Sequence, residues 1–311
     1  EKNASMAPIS PIPEDEAGTE LVNTILFVDV DGVLNVGIYD RCDAPILLKS
    51  SELALAKEIC AMGWKGTDGM TALKICSLAA TQADQSGTTF EALASQDQLS
   101  KVLVRRLAEL IEDAGPGCHV VLSSSWRKQQ HLKRRRTLEE SIGESLGRDF
   151  SFDDATEMRP EVHPGDRMQA IREYLRTFAK TEEHRLAEEV KVIVIDDFFL
   201  SPLSAFSPFV CGVTRVCSTW EAEGYLQEQL EKLGILASVK ILHCYAEFTT
   251  KNGLILQVGT GLSSDLLKEA KLFLEQPVEC DCDSPESMQM KRSITREQNA
   301  GELEKSFFHV L

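Results

Sequence analysis

A chain of 311 residues with 43% hydrophobic and 26% charged residues has the makeup of a globular protein with one large core or two modest ones. Its net charge of −16 excludes nucleic-acid binding driven by overall charge, although a local basic patch remains compatible with it. Nine cysteines without a paired CxxC indicate reduced thiols in a cytoplasmic, intracellular setting, and no apolar run reaches the roughly 18 residues of a membrane helix.

In chain order, residues 1–20 are rich in Pro, Glu and Asp and read as a disordered leader without a signal-peptide core. Ile25 to Val28 is an apolar strand that ends in Asp29 and Asp31 at a glycine turn. Two carboxylates about 4 Å apart repel by roughly 4 kcal/mol at an effective dielectric near 20, a cost that a divalent cation cancels. An ordinary Asp-Gly turn is the plain alternative. A calcium loop fits poorly, because Val33 and Leu34 stand where it needs oxygen ligands. Val36 to Gln98 reads as a helical insertion, with helices over Ser51 to Met62 and Met70 to Gln82.

Lys101 to Ala114 is amphipathic, with Val104, Leu107, Leu110 and Ile111 on one face, and stops at Gly115-Pro116-Gly117. A short strand, His119 to Leu122, leads into Ser123-Ser124-Ser125-Trp126-Arg127. Helices are predicted over Gln129 to Leu146 and Asp166 to Phe178, and the buried strand Val190 to Ile195 ends in Asp196-Asp197. Phe209 to Val216 is a predicted fifth strand, followed by a helix over Trp220 to Leu233. Ile241 to Phe248 and Leu254 to Val258 flank Asn252-Gly253 as a hairpin, and Ser263 to Leu274 is a closing helix. His243 and Cys244 are read as strand residues. From Pro277 the tail is polar and mobile, with a short element at Ser306 to Leu311; its Cys280 and Cys282 mark a flexible segment.

Strands alternating with helices specify an α/β fold, a doubly wound, Rossmann-like parallel sheet. The core is residues 21–234, carrying the small cap insertion 36–98; a C-terminal hairpin and helix extension, 235–276, packs on it, with shaping the substrate cleft or a dimer interface as the alternative. Ligands in such sheets lie outside the strand carboxyl ends, where Asp29, Asp31, Ser123, Asp196 and Asp197 all fall. Asp29 is a candidate nucleophile toward phosphorus, with Asp31 exchanging protons. Magnesium would screen the approach of two anions, and Asp196 and Asp197 would complete its oxygen shell. Ser123, with Ser124 its nearest rival, offers a hydroxyl to a phosphoryl group. Arg167, opening a helix, supplies a cation, with Arg127, Arg159 and Lys191 as competitors.

DVDGVLN, the serine ending VVLSSSWR, the basic residue of GDRMQAIREYL and the IDD strand end resemble the four motifs of the haloacid dehalogenase superfamily over residues 22–233. SSWR and the GDRMQAIREYL helix are similar to the compact phosphatase-like domains found beside RNA-repair modules. The resemblance implies a Rossmann-like core, essential Mg2+ and an aspartyl-phosphate intermediate. Asp29 would then be the nucleophile and Asp31 the acid/base that also gives its backbone carbonyl to the metal. Ser123 and Arg167 would bind phosphate, and Asp196 the metal. Arg167 departs from the lysine usual in the family.

A small cap leaves a site open to a bulky phosphorylated substrate, whether a small molecule, a protein or a nucleic-acid end. Arg127 to Arg136, RKQQHLKRRR, holds six Lys and Arg and no acid, and reads either as a solvated helix face or as a cationic rim, with Arg134 and Arg135 its test positions. The expected activity is Mg2+-dependent phosphomonoester hydrolysis. A phosphotransferase, or a non-catalytic phosphate-binding or scaffold module, stands as the alternative. Oligomeric state is not legible from the sequence.

Overall fold

A computed structural model describes residues 21–38, 46–63, 66–80, 92–95, 98–158, 164–182, 185–197, 219–249 and 255–277. All its elements fall in one of the two units into which the chain divides, Glu1–Glu275, the other being Gln276–Leu311. The predicted strand Phe209 to Val216, Arg159, the leader and the tail beyond residue 277 lie outside the described residues.

The strands are β1 (Val22–Val28), β2 (Gly37–Ile38), β3 (Ile46–Leu47), β4 (Cys118–Leu122), β5 (Asp154–Ala155), β6 (Leu186–Asp196), β7 (Leu236–His243), β8 (Tyr245–Thr249) and β9 (Ile255–Gly259). The helices are α1 (Ser50–Ala61), α2 (Thr67–Ala79), α3 (Lys101–Ala114), α4 (Leu132–Leu146), α5 (Pro164–Thr181), α6 (Thr219–Glu231) and α7 (Ser264–Glu275). The main sheet runs β5-β4-β1-β6-β7, and every pairing is parallel.

Alternation along β1 sorts its side chains onto two faces. Leu26 and Val28 join Leu107, Ile111 and Leu138 beneath α3, α4 and α7, while Ile25 and Phe27 join Ile171, Leu175 and Leu226 beneath α5 and α6. Burying each such side chain stabilises the fold by about 2 kcal/mol. A doubly wound α/β sandwich with β1 at its centre results. Among the described residues, no helix is long and apolar enough to cross a membrane.

Two readings of the C-terminal region are corrected. Residues 241–248 are not one strand: the chain breaks at Cys244, and Leu236–His243 is the fifth strand of the main sheet, paired with β6 from Glu189–Leu236 to Asp196–His243. Ser238 and Lys240 give it the alternation of a half-exposed strand, which in a linear reading is indistinguishable from a hairpin arm. The β8-β9 hairpin then pairs with the insertion: a second, antiparallel sheet runs β3-β2-β9-β8. Its Ile38 and Val258 share a third core with Leu53 of α1, Leu78 of α2 and Leu103 of α3. The insertion is helical as expected, and it is anchored by strands from more than 200 residues away.

Candidate active site

The ladders that build the sheet continue one residue past the strands and aim the polar ends. The Asp29 amide donates to the Ile195 carbonyl at 3.0 Å, and the Ser123 amide to the Val28 carbonyl at 2.8 Å. Asp29, Ser123 and Asp196 are thereby placed by neighbouring parallel strands at one sheet edge, the switch point where the chain departs from β1 to both sides. All three are buried, as are Ser124, Arg167 and Asp197.

Carboxylate oxygens of Asp29, Asp196 and Asp197 lie within 4.8 Å of one another. Arg167 answers two of them. The Arg167 Nη1 group lies 3.2 Å from Asp29 Oδ1 and 3.3 Å from Asp196 Oδ2, and donates to the Ser123 carbonyl. Burial, outweighing the nearby Arg167, pushes the Asp29 carboxyl up to about 7; Asp196 and Asp31 add to the rise, and a Ser124 hydrogen bond opposes it. Among the described residues Arg167 meets two of these three buried carboxylates, whose all-oxygen donor set suits a hard divalent cation. Among the described residues the buried Ser123 hydroxyl has no hydrogen-bond partner, which leaves it available to a ligand.

Asp31 stands apart from that triad. Its carboxylate is part-exposed, accepting from Trp126 Nε1 at 3.0 Å and from Asn35 Nδ2 at 3.3 Å. Asn35 also accepts from the Gly32 amide at 2.7 Å and donates to the Gln98 carbonyl at 3.0 Å, so it fastens the turn to the end of the insertion. Sequence reasoning assigns neither Trp126 nor Asn35 a role, although both stand inside the two sharpest motifs. Their signal is chemical: each is a buried side chain with an N–H to place.

Arg127 donates to the Ser124 carbonyl at 2.6 Å and to the Glu157 carbonyl at 3.5 Å, bracing the loop rather than facing the carboxylates. Lys191 is drawn to the Leu274 carbonyl. Of the four candidate cations, Arg167 is the one that meets the carboxylates among the described residues. His243 ends β7, and Cys244 follows it, a buried thiol raised well above its ordinary range by desolvation and by Asp197, Asp196 and Asp29. It is an unreactive floor.

Two glycines make the site possible. Gly32 has φ +81°, and a Cβ there would fall 1.7 Å from Asp197 Oδ2. Gly259, at the end of β9, would place a Cβ 2.6 Å from the Gly32 Cα and 3.1 Å from the same Asp197 oxygen. The turn after Asp31 is thus clamped by the C-terminal hairpin, with Gly261 and Leu262 amides donating to the Gly32 and Val33 carbonyls at 2.8 and 2.9 Å.

The raised Asp29 carboxyl has a consequence for stability. Unfolded, the group ionises near its ordinary 3.8; folded and without metal, near 7. The folded state therefore binds the extra proton, and this contribution, full below about pH 4, is lost as pH rises through about 7. Thermal unfolding in chelator should give a larger fall in melting temperature between pH 5.5 and 8.5 for the wild type than for Asp29→Asn. Equal falls would place the titration elsewhere.

Residues 67–214, just under half of the chain, match the family model of the HAD domain in Swiss Army Knife RNA repair proteins. The matched stretch contains Ser123, Ser124, Arg127, Arg167, Asp196 and Asp197; Asp29 and Asp31 precede it and are joined to it by the sheet. No curated protein and no solved structure matches the chain.

Proposed function

We propose, from the premise that the chain carries a domain of the haloacid dehalogenase superfamily, that it is a Mg2+-dependent phosphomonoester hydrolase working through an aspartyl-phosphate. The observation that carries this reading is the meeting of Asp29, Asp196, Asp197 and Arg167 at the sheet's switch point. Asp29, Asp196 and Asp197 would hold the ion, with the Asp31 backbone carbonyl as a further donor. Bound there, Mg2+ would neutralise the phosphoryl oxygens and the carboxylates together.

The chain's own residues divide the remaining work. Asp29 attacks phosphorus, forming the acyl–phosphate bond as the ester P–O bond breaks. Asp31 gives its proton to the departing ester oxygen, then takes one from the water that attacks the aspartyl-phosphate and releases inorganic phosphate. Trp126 and Asn35 support this assignment by holding the Asp31 carboxyl in one orientation. Arg167 orients Asp29 and shares its charge with the transferring group, while the Ser123 hydroxyl donates to a phosphoryl oxygen. The substrate is a phosphorylated molecule, and the family description, which concerns RNA repair proteins, adds nucleic-acid ends to the classes worth assaying.

Hydrolysis of an aryl phosphate and of a phosphomonoester panel, in chelator and after adding back Mg2+, tests the reading. Phosphate release should appear with Mg2+ and vanish with chelator. No Mg2+-dependent turnover of any panel member would replace it with a phosphate-binding module. Transfer to an added alcohol in preference to water would make it a phosphotransferase.

A further inference from the structure

A cleft of about 1370 Å³ lies between the insertion, α3 and α4. Among the described residues five cations line it, Lys49, Lys101, Arg105, Lys133 and Arg134, against one acid, Glu144. In a chain of net charge −16 this is a strong local reversal. Lys49 is 3.4 Å from Glu52, but Lys101, Arg105, Lys133 and Arg134 have no carboxylate partner among the described residues. Arg134 instead lies over the Trp126 ring, 5.9 Å from its centroid.

Helix polarity adds to the field. The first turns of α1, α3 and α4 all border the cleft, and none of the three has a side-chain cap hydrogen bond at its N-terminus. The first turns of α3 and α4 contain no acid and carry Lys101, Lys133 and Arg134 in its place. A cation at a helix N-terminus works against the helix dipole, so these placements cost folding stability while concentrating positive potential on one cleft. The remaining lining is largely hydroxyl and amide, including Ser50, Ser51, Ser95 and Ser141.

The cleft adjoins the candidate active site by two direct contacts. Trp126 lines it and donates to Asp31; Gln98 lines it, and its carbonyl accepts from the Asn35 amide that also holds Asp31. We infer that this cleft is the docking groove for a single-stranded nucleic acid whose terminal phosphate reaches Asp29 past Asp31. The inference rests on the phosphomonoesterase reading of the site and assigns its substrate class. A nucleic-acid backbone presents one anion per nucleotide, matching successive cations and hydroxyls without side-chain pockets. A phosphopeptide carries one phosphate and needs pockets for its neighbours, and Leu99, Val104 and the buried Trp126 are the groove's sparse apolar lining. Arg135, from the same basic run, belongs elsewhere: it bonds Glu139 at 2.9 Å and lies over Phe152.

The test is the double variant Lys101→Glu/Arg105→Glu. An acid in the first turn of α3 favours the helix, so folding is retained and a melting curve checks it. For a 12-nucleotide RNA with a terminal phosphate, kcat/KM relative to an aryl phosphate should fall on the order of tenfold. Binding of the same RNA, read by fluorescence anisotropy on the Asp29→Asn background, should weaken similarly, and the slope of log K against log salt should shrink by about 1.4 for two lost phosphate contacts. An unchanged ratio and slope would overturn the groove, as would tighter groove-dependent binding of a phosphopeptide than of the RNA. Loss of turnover on every phosphate with the binding response intact would instead defeat the hydrolase reading and leave the groove standing.

Discussion

Asp29→Asn should lower Mg2+-dependent phosphate release by about four orders of magnitude or more while leaving the protein folded. The carboxamide cannot form the acyl–phosphate bond, and residues that act as a unit with a nucleophile contribute little once it is gone. The substitution is close to isosteric, so no cavity opens around a side chain that is 3% exposed. It also removes one of three clustered negative charges, so the chelated variant should melt higher than the wild type above pH 7, where the native carboxylate is forced to ionise. Opposite signs in activity and stability separate a reacting group from a structural one. Residual activity within tenfold of wild type would mean that another group attacks phosphorus.

Gly259→Val should impair both folding and turnover, although residue 259 lies 230 positions from the nucleophile. Its Cβ would meet the Gly32 Cα at 2.6 Å, and backbone cannot yield as a side chain does. Relief requires β9 to withdraw, which breaks the Gly261 and Leu262 amide bonds to the Gly32 turn and frees Asp197 to shift. Overpacking of this kind costs about 1–3 kcal/mol, a fall of several degrees in melting temperature. Turnover should fall further than stability, since the displaced turn carries Asp31. Gly224→Ala is the control: nothing lies within 4 Å of its added Cβ, and an alanine within α6 should be neutral or stabilising. If Gly259→Val behaved like that control, the hairpin would not be part of the site.

Local pattern and long-range contact divide the molecule clearly. The buried run of β1, the amphipathic face of α3 and the apolar run in β6 are legible because periods of 2 and 3.6 are properties of neighbouring residues. Placing Asp29, Ser123 and Asp196 at strand ends follows from the same patterns, because parallel strands share a carboxyl edge. Residues 236–243 show where this ends. Their alternation is real, but no local feature states whether the partner is the next strand or β6, and only packing on α6 settles it.

By itself, the sequence determined the α/β class and the chemistry available at each strand end, since both depend on short-range covalent spacing. Tertiary structure alone decided which of those ends face a common point. It brought Arg167 to Asp29, gave Asp31 to Trp126, and laid Gly259 against Gly32. Each of these is a contact between residues far apart in the chain. Their free energy comes from burial and hydrogen bonding that exist only after the sheet has closed.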